Sequence, residues 1–469
     1  MIAWHNWGIR DFTEGLFDRI DDSLMPDNAA RDCRNFISKV IGKMEKRKGQ
    51  VRLNATALPG AIHGMYAYYD GDFRKLITAS NGNVYAWDTD GETFELIRSG
   101  LDSTAPIHFE RAVNYMVGMN GVDAPFKWDG ESSTVLANAP EGARSPTLFK
   151  EKLFCVPGED RSALWWSDTF QPEEWPPINY WEVKKGDGDE ITCLCKYLGE
   201  MIIFKNRSIH SFRGTSLDDF TLDEVEGRVG CVNQQSAVVV DNRIYFISEE
   251  GLYTFNGMTA RDLHAERIPR LWKNINKEHL HKAAIAVWNG FIWFALPYGE
   301  STTNNLVLAY EPKGGQFWPM SGINASCFLH YFDGSKTRLY SGDTSSGYVN
   351  EQDIGTEDFG SPVSAYWIGK GFDQGLPEHE KKARKAFIED APTQHTVATF
   401  EISLDYGDFI ACTYRRGNNL LREYRIPSNV KWRYIAPKLT HDAAGICEVR
   451  GLMIPVKPKR NPKGRDNPE

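Results

Sequence analysis

The densest run of groups able to do chemistry is Asp187-Gly188-Asp189-Glu190. Three carboxylates this close could ligate a hard cation or share a proton. A calcium loop of the EF-hand type takes ligands at alternate positions and closes on a distant Glu, and this run lacks that spacing. It reads as a turn with solvated carboxylates. Trp165-Trp166-Ser167-Asp168 offers a hydroxyl beside a carboxylate, or an aromatic platform for a sugar ring. Adjacent Ser and Asp do not make a triad, and no His is placed by sequence to serve as the base. The Trp pair reads as strand aromatics packed between sheets. His279 and His281 stand two apart in a stretch of helical spacing, so they share no helix face and make a poor metal pair. The eight cysteines (Cys33, Cys155, Cys193, Cys195, Cys231, Cys327, Cys412, Cys447) are scattered through apolar contexts. They read as buried thiols of a reducing compartment, because a zinc site needs Cys or His paired at metal spacing. The expectation is no catalytic residue, no metal ligand, no cofactor and no enzymatic activity.

The chain of 469 residues is long enough for one large repeat unit and a smaller one. Its net charge of -9 argues against a general nucleic-acid binder, which carries a basic surface. An acidic wall is compatible with DNA sliding past, since affinity comes mainly from Lys and Arg on phosphate. No apolar run reaches the roughly 18 residues of a membrane span, so no stable membrane insertion is expected. The opening MIAWHNWGIRDFTEG has neither a basic nor an apolar signal region, which predicts synthesis in a cytoplasm.

The elements that must position these residues are short strands. From Asp187 to Gly257 the chain twice runs through an apolar strand, a turn, a second apolar strand and an aromatic strand ending in aromatic-polar-Gly, at Phe212-Arg213-Gly214 and Phe255-Asn256-Gly257. The two endings are about 43 residues apart, and Trp128-Asp129-Gly130 lies about two such periods earlier, a spacing that signals propeller blades. Trp87-Asp88 and Trp128-Asp129 invite a WD-repeat reading, but the dipeptide does not recur in later cycles and its Gly-His partners are missing. Sialidase-type Asp boxes are missing as well. We count seven cycles between residues 51 and 355, with six blades the alternative. The seventh is short of a strand, which Gln50 to Leu58 could supply, so that the ring leaves no edge.

The sequence thus predicts an all-β chain: an N-terminal arm (1–50), a β-propeller (51–355), a C-terminal β-sandwich (356–455) after a linker at Thr356 to Pro362, and a basic disordered tail (456–469). Pro269 to Ala284 reads as a helical insertion, and Ala29 to Asn35 as a short helix. Lys43, Lys46, Arg47 and Lys48 read as a solvated hairpin tip, with a subunit or phosphate contact as the alternative.

The opening DFTEGLFDRIDDSLMPDNAARDCRNFISKVIGKMEKRKGQ resembles that of many bacteriophage tail proteins, through Gly15, Leu16, Pro26, Asp27, Asn28, Arg34, Asn35, Arg47 and Gly49. The stretches WWSDTFQPEEW, DGDEITCLCKYLGEMIIFKNRSIHSFRG and VGCVNQQSAVVVDNRIYFISEEGLYTFNG, then KKARKAFIED and EVRGLMIPV, are similar to tail propellers in the same order. The group named by this resemblance is the tail nozzle of short-tailed phages, also called tail tubular protein B or packaged-DNA stabilisation protein. It implies a structural virion protein of the tail: a homo-oligomer, typically a sixfold ring, below the portal and its adaptor and beside tail fibres. The ring retains packaged DNA and conducts it at ejection without sequence-specific binding. A receptor- or glycan-binding tail propeller is the alternative, motivated by Trp165, Trp166, Trp175 and Trp181. A propeller enzyme is the third reading, and rests on fold analogy alone.

Overall fold

The computed structural model describes residues 5–22, 24–391, 396–417 and 420–459. The expected basic tail therefore lies, from residue 460 on, outside the described residues. Among those residues the protein is all-β: sheets antiparallel but for the parallel pairing of Asp358 with Gln50, one α-helical turn, Pro269–Lys273, and two short 3-10 segments, Gln234–Ser236 and Lys277–Lys282. The helical insertion is thus present, but its second half winds as a 3-10 helix. No described helix is long and apolar enough to cross a membrane.

Six four-stranded antiparallel meanders follow one another in the sequence, beginning with Ile62–Asp70, His108–Ala112, Arg144–Phe149, Ile191–Tyr197, Ala237–Val240 and Ala284–Trp288. A seventh begins with Ala325–Phe332, and its fourth strand is Gln50–Arg52, paired with Val349–Gln352. Each first strand packs beside the next, and that of the seventh sheet lies beside that of the first. Both faces of these sheets are covered, which is why their inner strands read as unbroken apolar runs such as Met201 to Phe204 and Phe291 to Leu296. Apolar clusters fill the spaces between successive sheets. Tyr68 and Ile77 meet Met116 and Trp128 between the first and second, and Trp166 meets Phe212 between the third and fourth.

Tight turns hold the meanders in register. In the third to sixth sheets the first two strands are joined by two residues that both have positive φ: Lys150-Glu151, Leu198-Gly199, Asp241-Asn242 and Asn289-Gly290. That is the backbone of a type I′ turn, whose twist matches the flanking strands. The turns after the third strands of the first, second and fifth sheets are of another kind. Asp88, Asp129 and Asn256 each accept backbone N–H groups two or three residues on, closing the turn into the fourth strand. Trp87 and Trp128 before two of them are buried. The Trp-Asp pairs are therefore strand-end chemistry.

The ends of the chain are woven together. Residues 1–50, expected as a separate arm, supply strands to two sheets formed mainly by residues 365–458. His5–Ile9, Phe36–Ile37 and Met44–Lys46 belong to an eight-stranded sheet around the long strand Glu448–Pro458. Ala30–Arg34 pairs antiparallel with Ala365–Gly369 in a five-stranded sheet. The expectation of a helix at Ala29 to Asn35 is corrected here, because tertiary pairing outweighs a weak helical preference. The two sheets share one apolar core, with the rings of Phe400 and Tyr424 at 5.7 Å.

The four basic residues at 43–48 are not a solvated tip. Lys43 pairs with Glu448 at 2.9 Å, and only Lys48 is exposed. Buried Lys46 donates to the carbonyl of Ala443 at 2.7 Å and lies 3.2 Å from Nδ1 of His441. His441 Nε2 is 2.7 Å from Thr396 Oγ1. Burial, then the Lys46 charge, pushes the His441 pKa down to about 4. The folded state thus resists a proton that the unfolded chain accepts near pH 6.5. Stability from this group is complete above about pH 6.5 and is lost towards pH 4, at about 1.4 kcal/mol per pH unit for one fully shifted group. We expect the urea midpoint to fall between pH 7 and pH 5, and His441→Gln to flatten part of that slope.

Candidate functional site

Two places gather polar groups in a way the strands alone do not require: the joint between the seven sheets and the terminal sheets, and the cavity on which the seven first strands converge.

At the joint, Arg47 is almost fully buried and all five of its N–H donors are used. Nε donates to Asn35 Oδ1 at 3.0 Å; Nη1 donates to the Lys48 carbonyl at 2.8 Å and to Asp358 Oδ1 at 3.0 Å; Nη2 donates to the Ser321 carbonyl at 2.8 Å and to Asp358 Oδ2 at 2.5 Å. Asn35 adds bonds from Nδ2 to Ser321 Oγ at 3.1 Å and to the Ser364 carbonyl at 2.7 Å, and accepts from the Ser321 amide at 2.8 Å. One guanidinium and one amide thus tie the N-terminal segment, the last strand of the sixth sheet and the 357–364 crossing. Two glycines let the backbones approach. Gly15 has φ 63°, and a Cβ there would lie 2.6 Å from the Phe317 carbonyl oxygen. A Cβ on Gly49 would lie 1.8 Å from the Glu357 carbonyl oxygen.

The cavity, of about 440 Å³, takes a residue from every first strand: Met65, Glu110, Thr147, Cys195, Val239, Ile285 and Phe328. Glu110 of the second sheet and Lys196 of the fourth meet at 3.3 Å, reaching past the third. Burial raises the Glu110 pKa against the pull of Lys196. Cys195 is half-buried here, whereas the other seven cysteines are buried and all eight are free thiols. Burial pushes the Cys195 thiol up to about 12, so it is no nucleophile at neutral pH.

The residues singled out by sequence do structural work. Asp187 is not simply solvated: it accepts from fully buried Lys205 at 2.7 and 2.8 Å. Burial would raise its pKa, but the Lys205 bond holds it below the usual carboxylate range. Asp189 accepts from the Asn206 and Arg207 amides at 3.1 and 3.0 Å, and Glu190 pairs with Arg144 at 2.8 Å and Arg161 at 3.1 Å. The run staples one loop to its neighbours. Ser167 is buried and accepts from the Leu153 amide at 3.0 Å, and Asp168 accepts from Asn179 at 3.2 Å, so neither serves a base. Trp166 and Trp175 are buried, with Trp175 Nε1 on the Pro172 carbonyl at 2.8 Å, and offer no open stacking face. The His279 and His281 rings are 6.1 Å apart in the 3-10 turn. Among the described residues no group of three or more His, Cys, Asp or Glu is arranged to hold a metal. Glu110, Lys196 and the cavity were missed by sequence reasoning, since nothing in a strand's pattern says which strand will be innermost.

Neither a protein-family model nor a curated protein matches the chain. Among solved structures it is similar to the computationally designed Ika8 protein, with a TM-score of 0.41 and 12% identity over 65% of this chain and 100% of that one.

Two substitutions separate the roles of these places. Arg47→Met strands Asp358 in the joint and should lower stability by about 3 kcal/mol in urea denaturation. Lys196→Met, at a partly exposed pair, should lower it by only about 1 kcal/mol, and adding Glu110→Gln should recover most of that loss.

Proposed function

We propose that the chain is a structural subunit of a phage or prophage tail, of the nozzle kind. In this reading the seven sheets are blades of a propeller closed by Gln50–Arg52, and the two terminal sheets form a sandwich that carries contacts to neighbouring subunits. One observation carries it: the opening residues behind the tail-protein resemblance are spent on one mechanical joint. Gly15, Asn35, Arg47 and Gly49 lock the two parts together. Leu16 is buried there, with its amide on the Phe317 carbonyl at 2.9 Å. Nearby, Asn28 donates to Asp11 at 2.8 Å, Asp27 pairs with Lys370 at 2.6 Å, and Arg34 stacks 5.3 Å from the Tyr298 ring centroid. A pattern that fixes the relative position of two packed parts suits a protein whose task is to hold shape under load.

Several copies then close into a ring by heterologous contacts related by rotation. DNA passes through the opening between copies and not through any single subunit, because a 440 Å³ cavity crossed by the Glu110–Lys196 pair holds a small molecule and no duplex. Acidic residues outnumber basic ones across the seven sheets, which keeps phosphates from adhering.

Quantitative mass spectrometry of purified virions, referenced to the portal, tests the proposal. About half as many copies of this chain as of a twelvefold portal are expected for a sixfold ring. Absence from virions would sink the reading.

A further inference from the structure

A second cavity, of about 390 Å³, lies at the end of the axis where the first strands begin, and meets the first at His108 and Gln235. Its size is that of a small-molecule site. The walls are aliphatic at Ile62, Pro106 and Ala283, with no aromatic ring other than His and no Asp or Glu among the described lining residues.

The polar groups that face it are unusual in what they leave unspent. The rings of His63 and His108 and the side-chain amide of Gln235 line the cavity, and none of them makes a hydrogen bond to the described protein. Lys282 stands at the rim, and its ammonium gives one bond to the Thr302 carbonyl at 2.9 Å, which leaves two donors. Burial and Arg144 push the His108 pKa down to about 4, so at neutral pH its ring is an uncharged donor. The wall is also fixed in place. Asn233 Nδ2 holds the carbonyls of His281 and Ala283 at 2.8 and 2.7 Å, while Asn304 Nδ2 holds those of Lys282 and Ala325 at 2.7 and 2.8 Å. Asn304 Oδ1, on the same wall, is buried with no donor.

We propose that this pocket binds a small oxyanion, a phosphate or carboxylate carried on a hydroxylated molecule. His63, His108, Gln235 and Lys282 supply donors to the oxyanion, and Asn304 Oδ1 accepts a ligand hydroxyl. The chemistry follows from the imbalance: one cation and several open donors on the wall, against the single nearby Asp102 carboxylate, which acts on His63 and is already held by the Thr104 and Ala105 amides, in a site whose backbone is braced. Buried polar groups are ordinarily paired, so the unpaired Asn304 Oδ1 marks where a ligand or water completes the wall, beside the half-buried side chains of His63, His108 and Gln235. The inference is independent of any role in a tail.

Isothermal titration of the full chain at pH 7 with inorganic phosphate, malate and glucose tests it. Phosphate or malate should bind with one site per chain and a Kd below about 1 mM, whereas glucose should not bind. Tighter binding of phosphate assigns a phosphoryl ligand, and tighter binding of malate assigns a carboxylate. Lys282→Met at the exposed rim and Gln235→Leu within should each weaken binding at least about tenfold while thermal melting stays unchanged. If neither anion binds, or if both variants bind as the parent does, the pocket is not an oxyanion site.

Discussion

The structure depends most on the guanidinium of Arg47. A buried arginine is tolerated only when its charge is balanced and each N–H finds an acceptor. Here two donors grip Asp358 side by side, and the other three reach Asn35, Lys48 and Ser321. The acceptors come from segments far apart in sequence, so the bond set can be complete in only one relative placement of the seven sheets and the terminal sheets. The apolar core under it runs without a break from Phe317 and Trp318 of the sixth sheet to Trp367 and Leu439 of the terminal sheets. Burial supplies the bulk of the stabilisation, and the directional bonds select the geometry.

The seven sheets obey a simpler constraint. A four-stranded sheet with two apolar faces cannot stand alone in water, so each buries itself against the one before and the one after. Ile62, Leu76 and Trp87 of the first sheet pack on Cys327, Tyr331 and Tyr340 of the seventh, which links the ends of the series. Gln50–Arg52, pairing with Val349–Gln352, covers what would otherwise be the open edge of the seventh sheet. The first strands that meet in the middle leave little room, and what remains is small-molecule sized, polar in places and crossed by a charge pair.

Much of this was legible because it is local. Alternation and turn residues mark each strand, and Asp129 and Asn256 close their turns through bonds that span only two or three residues. Cysteines in apolar runs were readable as core thiols, and all but Cys195 are buried. What misled was charge. The basic residues at 43–48 look like solvated surface in a linear reading, yet Lys46 and Arg47 are buried and each meets a partner from a distant segment. Ala29 to Asn35 misled for a related reason: its strand partner, Ala365–Gly369, lies more than three hundred positions away.

By itself, then, the sequence determined the all-β class, the cycle of short meanders and the strand from Gln50 that completes the last of them, because periodicity and turn chemistry are short-range. Only the tertiary structure decided that the two ends of the chain share their sheets, that Arg47 is the lock between the two parts, and that Glu110, Lys196, His63, His108 and Gln235 face cavities at the centre. Those outcomes rest on which strands become neighbours. That is fixed by the summed burial of many side chains and the pairing of a few charges across long separations, and no window of the sequence contains it.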